Sequence, residues 1–391
     1  MAAWWQDLRD RFPLCARRAY FFAGAQAPLA TDVREAMQAF LELWEERVWR
    51  FEQTEWRRFD DAAELLGAIL GCDPLRVAAA EGTSHAMNLA TAMVLAKWTR
   101  DGRHPANVVV SHEAHPASSY AWVNAQRLGA PLELRWSVPE PGQDPAEALA
   151  GSIDGGTIAV IASHVSNLTG ERLDVPGLAS RFPERSFALL LDAAQSAGVL
   201  PLQTEVDLCD FVGMPAYKWL FGPPGVGFLV SARSWLDDIG PPFVGWASVR
   251  DVMVMDPRRL DLAPGGTAFR LGIPNFIGMA GAAAGLKLWT DAGRERIATR
   301  VRDLTDRFLR GLSDLGHRSP TPTEWSRRAG VIAVDLADPE RVMADLLEAG
   351  IEVGVELTRL RVDPHAYNTE EEIDRLLDRL AEVPRGAETT G

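Results

Sequence analysis

The sequence predicts an α/β fold: a mostly parallel seven-stranded sheet covered by helices on both faces, then a smaller α/β unit. Three observations lead there. From residue 76 to residue 230, short unbroken apolar runs alternate with helical patterns, as in a doubly covered parallel sheet. Two of those runs lead into residues of opposite charge, Asp192 and Lys218. After a long helical passage the alternation resumes, from residue 331 to residue 381.

In chain order, residues 1–25 form a lead-in carrying Trp4, Trp5, Phe12, Tyr20, Phe21 and Phe22. It is expected to pack on a part of the chain that returns late. Thr31 is the expected N-cap of a first helix, with Glu35 just beyond the capping-box position. That helix carries Val33, Met37, Phe40, Leu41 and Trp44 at helical spacing. A second helix is expected over 60–69, stopping at Gly71. Strands are expected over 76–80, 107–111, 132–136, 157–163, 187–192, 211–214 and 225–230, with helices over 84–96 and near 118–128. The Pro/Gly-rich passage 240–266 is a natural boundary. Helices dominate 275–315. A strand over 331–336, a helix over 339–349, strands over 351–355 and 360–362, and a helix over 369–381 complete the chain, with a frayed tail at 385–391. The expected division is a large cofactor-binding domain over 26–260 and a small domain formed by 1–25 and 261–391.

Bulk properties narrow the function classes. A chain of 391 residues is too long for one ordinary core. A net charge of −14 repels phosphate backbones, so nucleic acid is not an expected partner. No apolar run approaches the roughly 18 residues of a membrane span. The N-terminus lacks the basic and apolar blocks of a signal peptide. Cys15, Cys72 and Cys209 are scattered, which argues for a reducing, cytoplasmic setting.

The chemistry-bearing residues cluster at predicted strand ends. A carboxylate at the end of one buried strand and an amine beyond the next can converge on one ligand, where open α/β sheets bind theirs. A ring with a basic nitrogen and an aldehyde needs that acid and that amine. Lys218 sits in Tyr-Lys-Trp-Leu-Phe-Gly-Pro-Pro-Gly, unlike a solvated face. Asp192 alone would also serve as a helix N-cap after a strand. Gly82-Thr83-Ser84 follows a strand and opens a helix, which suits either a phosphate or a plain cap. His112-Glu113-Ala114-His115 lacks the spacing of a helical zinc pair, so no metal is expected. Gly222-Pro223-Pro224-Gly225-Val226-Gly227 precedes a strand and reads as turns. No Gly-x-Gly-x-x-Gly follows an early strand, against a nicotinamide enzyme.

The stretch from Leu189 to Gly198, with Ala216-Tyr217-Lys218-Trp219, resembles the pyridoxal-phosphate (PLP) enzymes of aminotransferase class V. That group holds cysteine desulfurases, selenocysteine lyases, kynureninases and isopenicillin N epimerases. The resemblance runs from about Tyr20 to Leu380. It implies the fold type I PLP-transferase architecture and a homodimer with the active site at the subunit interface. It implies that Lys218 forms the resting imine and shuttles protons, with His115 stacked on the cofactor as the second catalytic group. Asp192 would hold the pyridine nitrogen protonated and Gln195 would donate to the phenolic oxygen. Thr83, Ser84 and Tyr217 would take the phosphate. Asn167 would lie near the cofactor oxygen and the substrate carboxylate, and Arg361 would grip that carboxylate.

The chain also departs from the family pattern. Residues 351–360 hold no cysteine, where desulfurases carry their nucleophile. Pro215-Ala216-Tyr217 replaces a Ser-Gly-His. Ile273 stands where a threonine often reaches the partner's phosphate, with Thr267 as a substitute. The resemblance therefore implies an enzyme acting on an amino acid, foremost a carbon–sulfur β-elimination lyase of a cysteine-like conjugate. An aminotransferase or epimerase of secondary metabolism is the alternative. A PLP-fold binding protein without catalysis is the reading from another class.

Overall fold

The computed structural model describes residues 3–47, 52–102 and 106–384; the tail expected at 385–391 lies outside them. Twelve strands are present among these residues: β1 (Ala19–Tyr20), β2 (Val77–Ala80), β3 (Ala106–Ser111), β4 (Leu132–Ser137), β5 (Thr157–Ser163), β6 (Ala188–Asp192), β7 (Phe211–Pro215), β8 (Gly227–Ser231), β9 (Ile332–Asp335), β10 (Ile351–Glu352), β11 (Gly354–Glu356) and β12 (Arg359–Val362). The main sheet has seven strands in the order β2-β8-β7-β6-β5-β3-β4. All run parallel except β8, which is antiparallel to both β2 and β7. This is the mostly parallel, doubly covered sheet that the apolar runs imply. Every residue of β6 is buried, as expected of a strand covered on both faces. The strand lies at the middle of the sheet and ends on Asp192.

Two core clusters flank this sheet. One includes Val109, Val160, Leu189, Leu191, Val212 and Trp219. The other includes Val108, Val110, Ile161, Leu190, Phe211 and Trp122. The alternation of neighbours along each strand follows the period-two pleat. Helix Phe276–Ala292 packs on Thr31–Glu46 and Glu52–Leu70, and its Met279, Ala282, Leu286 and Trp289 join the first cluster. In packing, the passage through residue 292 thus lies with the main sheet.

A second layer begins with helix Arg294–Leu315. Its sheet is antiparallel, in the order β11-β12-β9, and helices Pro339–Glu348 and Glu370–Ala381 complete it. Its own core includes Phe308, Leu312, Val334, Leu346, Leu360 and Ile373. The lead-in touches both layers, with Leu8, Phe12, Cys15 and Tyr20 in the first cluster of the main sheet. Strand β1 pairs in parallel with β10, and Phe21 lies in the core of the second layer.

Local details differ from the expectations. Thr31 is the first residue of its helix; the cap position belongs to Ala30, in extended backbone and with no side-chain hydrogen bond. The second helix starts at Glu52 rather than residue 60. Its first turns, Glu52-Gln53-Thr54-Glu55, are polar and show no apolar stripe. The single strand expected over 351–355 is two, because β10 pairs with β1 while β11 pairs with β12. The capping box at Thr369 and Glu372 is present, with Glu372 N–H donating to Thr369 Oγ1 at 3.2 Å and Thr369 N–H to Glu372 Oε2 at 3.1 Å. Of the many tryptophans, Trp98, Trp122, Trp219 and Trp289 are core residues, while Trp246 is exposed.

Candidate active site

The parallel strands β2, β3, β5, β6 and β7 open their carboxyl ends onto one cavity of about 320 Å³, the place where such sheets bind ligands. Thr83, Ser84, His115, Asn167, Asp192, Gln195, Tyr217 and Lys218 all line it. Arg361 is not among the lining residues. Its guanidinium stands just behind, where a Cβ at Gly24 would meet Arg361 Nη2, Asp363 Oδ2 and Gln195 Oε1 together.

Asp192 is 3% exposed. One carboxylate oxygen accepts the Ala194 N–H at 2.9 Å, and the other has no hydrogen-bond partner among the described residues. Burial raises its pKa, opposed by the Ala194 N–H, Lys218 and His115. The N-cap alternative is thus realised in part, as a tight turn, but it leaves one oxygen open to the cavity. Behind it, the His164 N–H donates to the Asp192 carbonyl at 2.8 Å. The His164 ring bridges Ser196 Oγ at 3.0 Å and Arg172 at 3.2 Å. Arg172 pairs with the buried Glu205 at 2.9 Å. Burial lowers the His164 pKa to about 3, so the ring is a neutral strut.

Lys218 follows β7 on a tightly held turn. The Ala27 N–H donates to the Tyr217 carbonyl at 2.8 Å and Gly222 N–H to the Ala216 carbonyl at 2.8 Å. His365 Nε2 lies 3.1 Å from the Trp219 carbonyl. Phe221 takes a left-handed φ of 62° inside a cluster with Phe12, His365 and Tyr367, whose ring centroids lie 4.5–6.4 Å from its own. Burial lowers the Lys218 pKa to about 8, the Arg361 charge adds to the effect, and Asp192, Asp363 and Glu356 oppose it. A substantial neutral fraction near pH 8 suits both imine chemistry and proton transfer.

His115 caps helix Pro116–Arg127, its Nδ1 accepting the Ala117 N–H at 3.1 Å. That contact places the ring proton on Nε2, and burial pushes the pKa down. The ring is therefore neutral. Asn167 lies on the loop after β5, where Ser166 Oγ closes the turn by accepting the Leu168 and Thr169 N–H groups, each at 3.1 Å. The turn does not need the Asn167 side chain.

Gln195 is more constrained than its sequence pattern shows. Its Nε2 donates to the Gly24 carbonyl at 3.0 Å and its Oε1 accepts Trp219 Nε1–H at 3.0 Å. One amide hydrogen remains for a ligand.

The phosphate end is formed where helix Thr83–Asp101 starts. Among the described residues, Thr83 Oγ1 is buried without a hydrogen-bond partner, and a Cβ at Gly82 would meet nothing within 4 Å. An anion at this helix start answers both features. Burial raises the Tyr217 pKa, keeping its hydroxyl a donor. Gly227 supports the cradle from below: a Cβ there would lie 2.6 Å from Gly82 Cα and 2.7 Å from the Met214 carbonyl. The Gly222–Gly227 passage thus does more than turn the chain toward the lysine.

Sequence reasoning missed Gly24, Glu356 and Asp363, all of which frame Arg361. Gly24 had no motif around it, and the two acids carried no pattern that set them apart.

A buried amine of lowered pKa, a buried acid with an open oxygen and a helix start suited to an anion, all at the carboxyl ends of a parallel sheet, fit a fold type I PLP enzyme. The chain belongs to the aminotransferase class-V family, whose model matches residues 19–376, and its cofactor is pyridoxal 5'-phosphate. It is similar to isopenicillin N epimerase of Streptomyces clavuligerus, 28% identical over 96% of this chain and 97% of that one. It is similar to a probable cysteine desulfurase of Pyrococcus abyssi, 26% identical over 97% of each. A cystine C-S lyase solved with its product cysteine persulfide has a TM-score of 0.84 at 25% identity, covering 95% of this chain and 99% of that one.

Two outcomes test the site. Cofactor-free protein should attach PLP covalently at a rate that rises with pH, is half-maximal near pH 8 and levels off above it, as Lys218 loses its proton. A rate still climbing toward the ordinary lysine value of 10.5 would mean that the amine is not perturbed. Gly227→Ala should weaken cofactor affinity by about tenfold or more, from an overpacking penalty of about 1–3 kcal/mol. Titration followed by visible absorbance measures it, and unchanged affinity would remove Gly227 from the cradle.

Proposed function

We infer that the chain is a carbon–sulfur β-elimination lyase acting on a cysteine-like conjugate. The observation that carries the lyase over a persulfide-forming desulfurase is the state of the three cysteines. None lines the cavity. Burial pushes the Cys15 thiol up to about 12 and raises Cys72 and Cys209 as well. No reactive thiolate therefore stands ready to accept sulfur, and the leaving sulfur departs as a free thiol. The likeness to a cystine C-S lyase supports the same direction.

Bound PLP supplies an electron sink for the pair left when the Cα proton departs. In this reading Lys218 tethers the cofactor and then, as a neutral amine, takes the Cα proton. Asp192 keeps the ring nitrogen protonated, and Gln195 donates its remaining amide hydrogen to the ring oxygen. Thr83, Ser84 and Tyr217 hold the phosphate. His115 would stack on the ring, with its Nε2 proton available to the departing sulfur. Asn167 and Arg361 orient the substrate carboxylate. The Cβ–S bond breaks, and the conjugate with one water gives a thiol, pyruvate and ammonia.

The reading includes a homodimer with the site at the subunit boundary. Its support is an exposed apolar stretch that includes Phe243, Val244, Trp246, Met253, Met255 and Ile273, more than scattered surface residues account for. Sedimentation reporting a monomer at micromolar concentration would count against it.

The direct test is a panel of L-cystine and S-substituted cysteines with pyruvate, ammonia, thiol and D-isomer assayed separately. Pyruvate, ammonia and the released sulfur product should appear in equal amounts, a thiol from an S-substituted cysteine and a persulfide from L-cystine. Formation of a D-amino acid without pyruvate would replace the lyase by an epimerase. Lys218→Ala should leave no cofactor fixed to the chain after borohydride reduction. Arg361→Ala should lower kcat/KM by roughly 10–100-fold, the loss of a charge-assisted pair of about 1.5–3 kcal/mol.

A further inference from the structure

Arg361 is tied back on two edges of its guanidinium and open on the third. In the hairpin of β11 and β12, Gly354 pairs with Arg361 and Glu356 with Arg359, so Glu356 and Arg361 stand diagonally on one face. Arg361 Nε lies 2.9 Å from Asp363 Oδ2. Nη1 donates to Glu356 Oε2 at 3.3 Å. Nη2 is buried and has no hydrogen-bond partner among the described residues. Phe22 covers the guanidinium, its ring centroid 5.5 Å from Cζ. It occupies the space left by Gly354, where a Cβ would strike the Phe22 ring.

The two carboxylates on Arg361 are not equivalent. Asp363 is fully buried, whereas the Glu356 side chain is 34% exposed and its contact is longer. A buried partner cannot leave without stranding a charge; a half-exposed one exchanges with water or with another anion at little cost. Glu356 also ends on a strained turn. The next residue, Leu357, is exposed and takes a φ of 52°, a region that disfavours a branched side chain.

We propose that Glu356 is a displaceable stand-in for the substrate carboxylate at Arg361 and, once displaced, sets the charge class of the substrate side chain. Neutral and cationic side chains are accepted and anionic ones refused. This rests on the reading that Arg361 receives the α-carboxylate. A carboxylate docks bidentately on two neighbouring N–H groups of a guanidinium. Here Nη2 is vacant and Nη1 is lent to Glu356, while Asp363 keeps Nε and so keeps the fork in place. An arriving carboxylate that takes both Nη groups releases Glu356 at the edge of the same site. The Glu356 charge is felt at both Lys218 and His115, so it also acts on whatever lies between them and Arg361.

The test is equilibrium binding of three probes, L-alanine, L-aspartate and L-lysine, to the holoenzyme, read by visible absorbance and by calorimetry. Native protein should bind L-aspartate about tenfold more weakly than L-alanine, the scale of one partly screened charge contact. In Glu356→Gln, L-alanine should bind several-fold tighter, because the competitor for Nη1 is weakened. L-aspartate should gain about tenfold more than L-alanine does, closing the gap, and L-lysine should gain least. Unchanged L-alanine affinity in E356Q overturns the stand-in role. An unchanged ratio of L-aspartate to L-alanine overturns the charge selection. Arg361→Ala separates the two levels: if it leaves L-alanine binding intact, the α-carboxylate assignment itself fails. If it weakens L-alanine while E356Q changes nothing, only the role of Glu356 fails.

Discussion

A buried carboxylate at the end of the central strand sets the terms for everything around it. Asp192 gives one oxygen to the Ala194 N–H and holds no ion pair with a side chain among the described residues. Leaving a carboxylate uncompensated in such a place costs several kcal/mol. The two basic groups that act on it are both weakened. His115 is neutral, and the Lys218 amine is pulled down to about 8. Lys218 still carries its proton below about pH 8, but no side chain pairs directly with Asp192 among the described residues. A protonated ring nitrogen would supply that partner, and the same contact would make the ring a better acceptor of electrons. Stability and chemistry are served by one pairing.

Holding that pair in register requires both chain ends. The lysine turn is tied to Ala27 from the N-terminal segment and to His365 from the C-terminal one. Gln195 is gripped between Gly24 and Trp219. Phe12 packs on Phe221 and Tyr367, with centroids 5.0 and 4.8 Å away. Contacts this distant in sequence carry a large loop-closure cost. The strand ends thus bring the acid and the amine together, and the second layer then fixes their orientation.

This division explains what the sequence made legible. The central strands were visible because full burial on two faces demands unbroken apolar runs. Asp192, Lys218, Thr83 and Asn167 were visible because they follow those runs directly. Arg361 could be placed by its neighbours in sequence, but its tethers could not. Glu356 meets it through the register of a hairpin whose first strand read as the end of one strand over 351–355. Gln195 read as a free donor, although tertiary contacts already engage both ends of its amide. The collision that Gly227 avoids with Gly82 joins two distant segments, and no local pattern encodes it. The start of the helix at Glu52 was hidden for a simpler cause: polar turns leave no apolar stripe.

Backbone strain separates the fixed parts of the site from the movable one. Phe221 and Leu357 both take left-handed φ values, 62° and 52°, each costing on the order of 1–3 kcal/mol. Phe221 lies just past Lys218 and is 1% exposed, inside an aromatic cluster. Packing over-determines that strain, so the lysine turn is held rigid. Leu357 lies just past Glu356 and is 76% exposed. No core contact opposes its relaxation; the hairpin pairing and the Glu356–Arg361 contact are what hold it. A rearrangement that frees Glu356 can therefore release strain at this tip, whereas one that moves Lys218 must break the aromatic cluster. The asymmetry suits a site whose chemical centre stays still while its substrate clamp opens and closes.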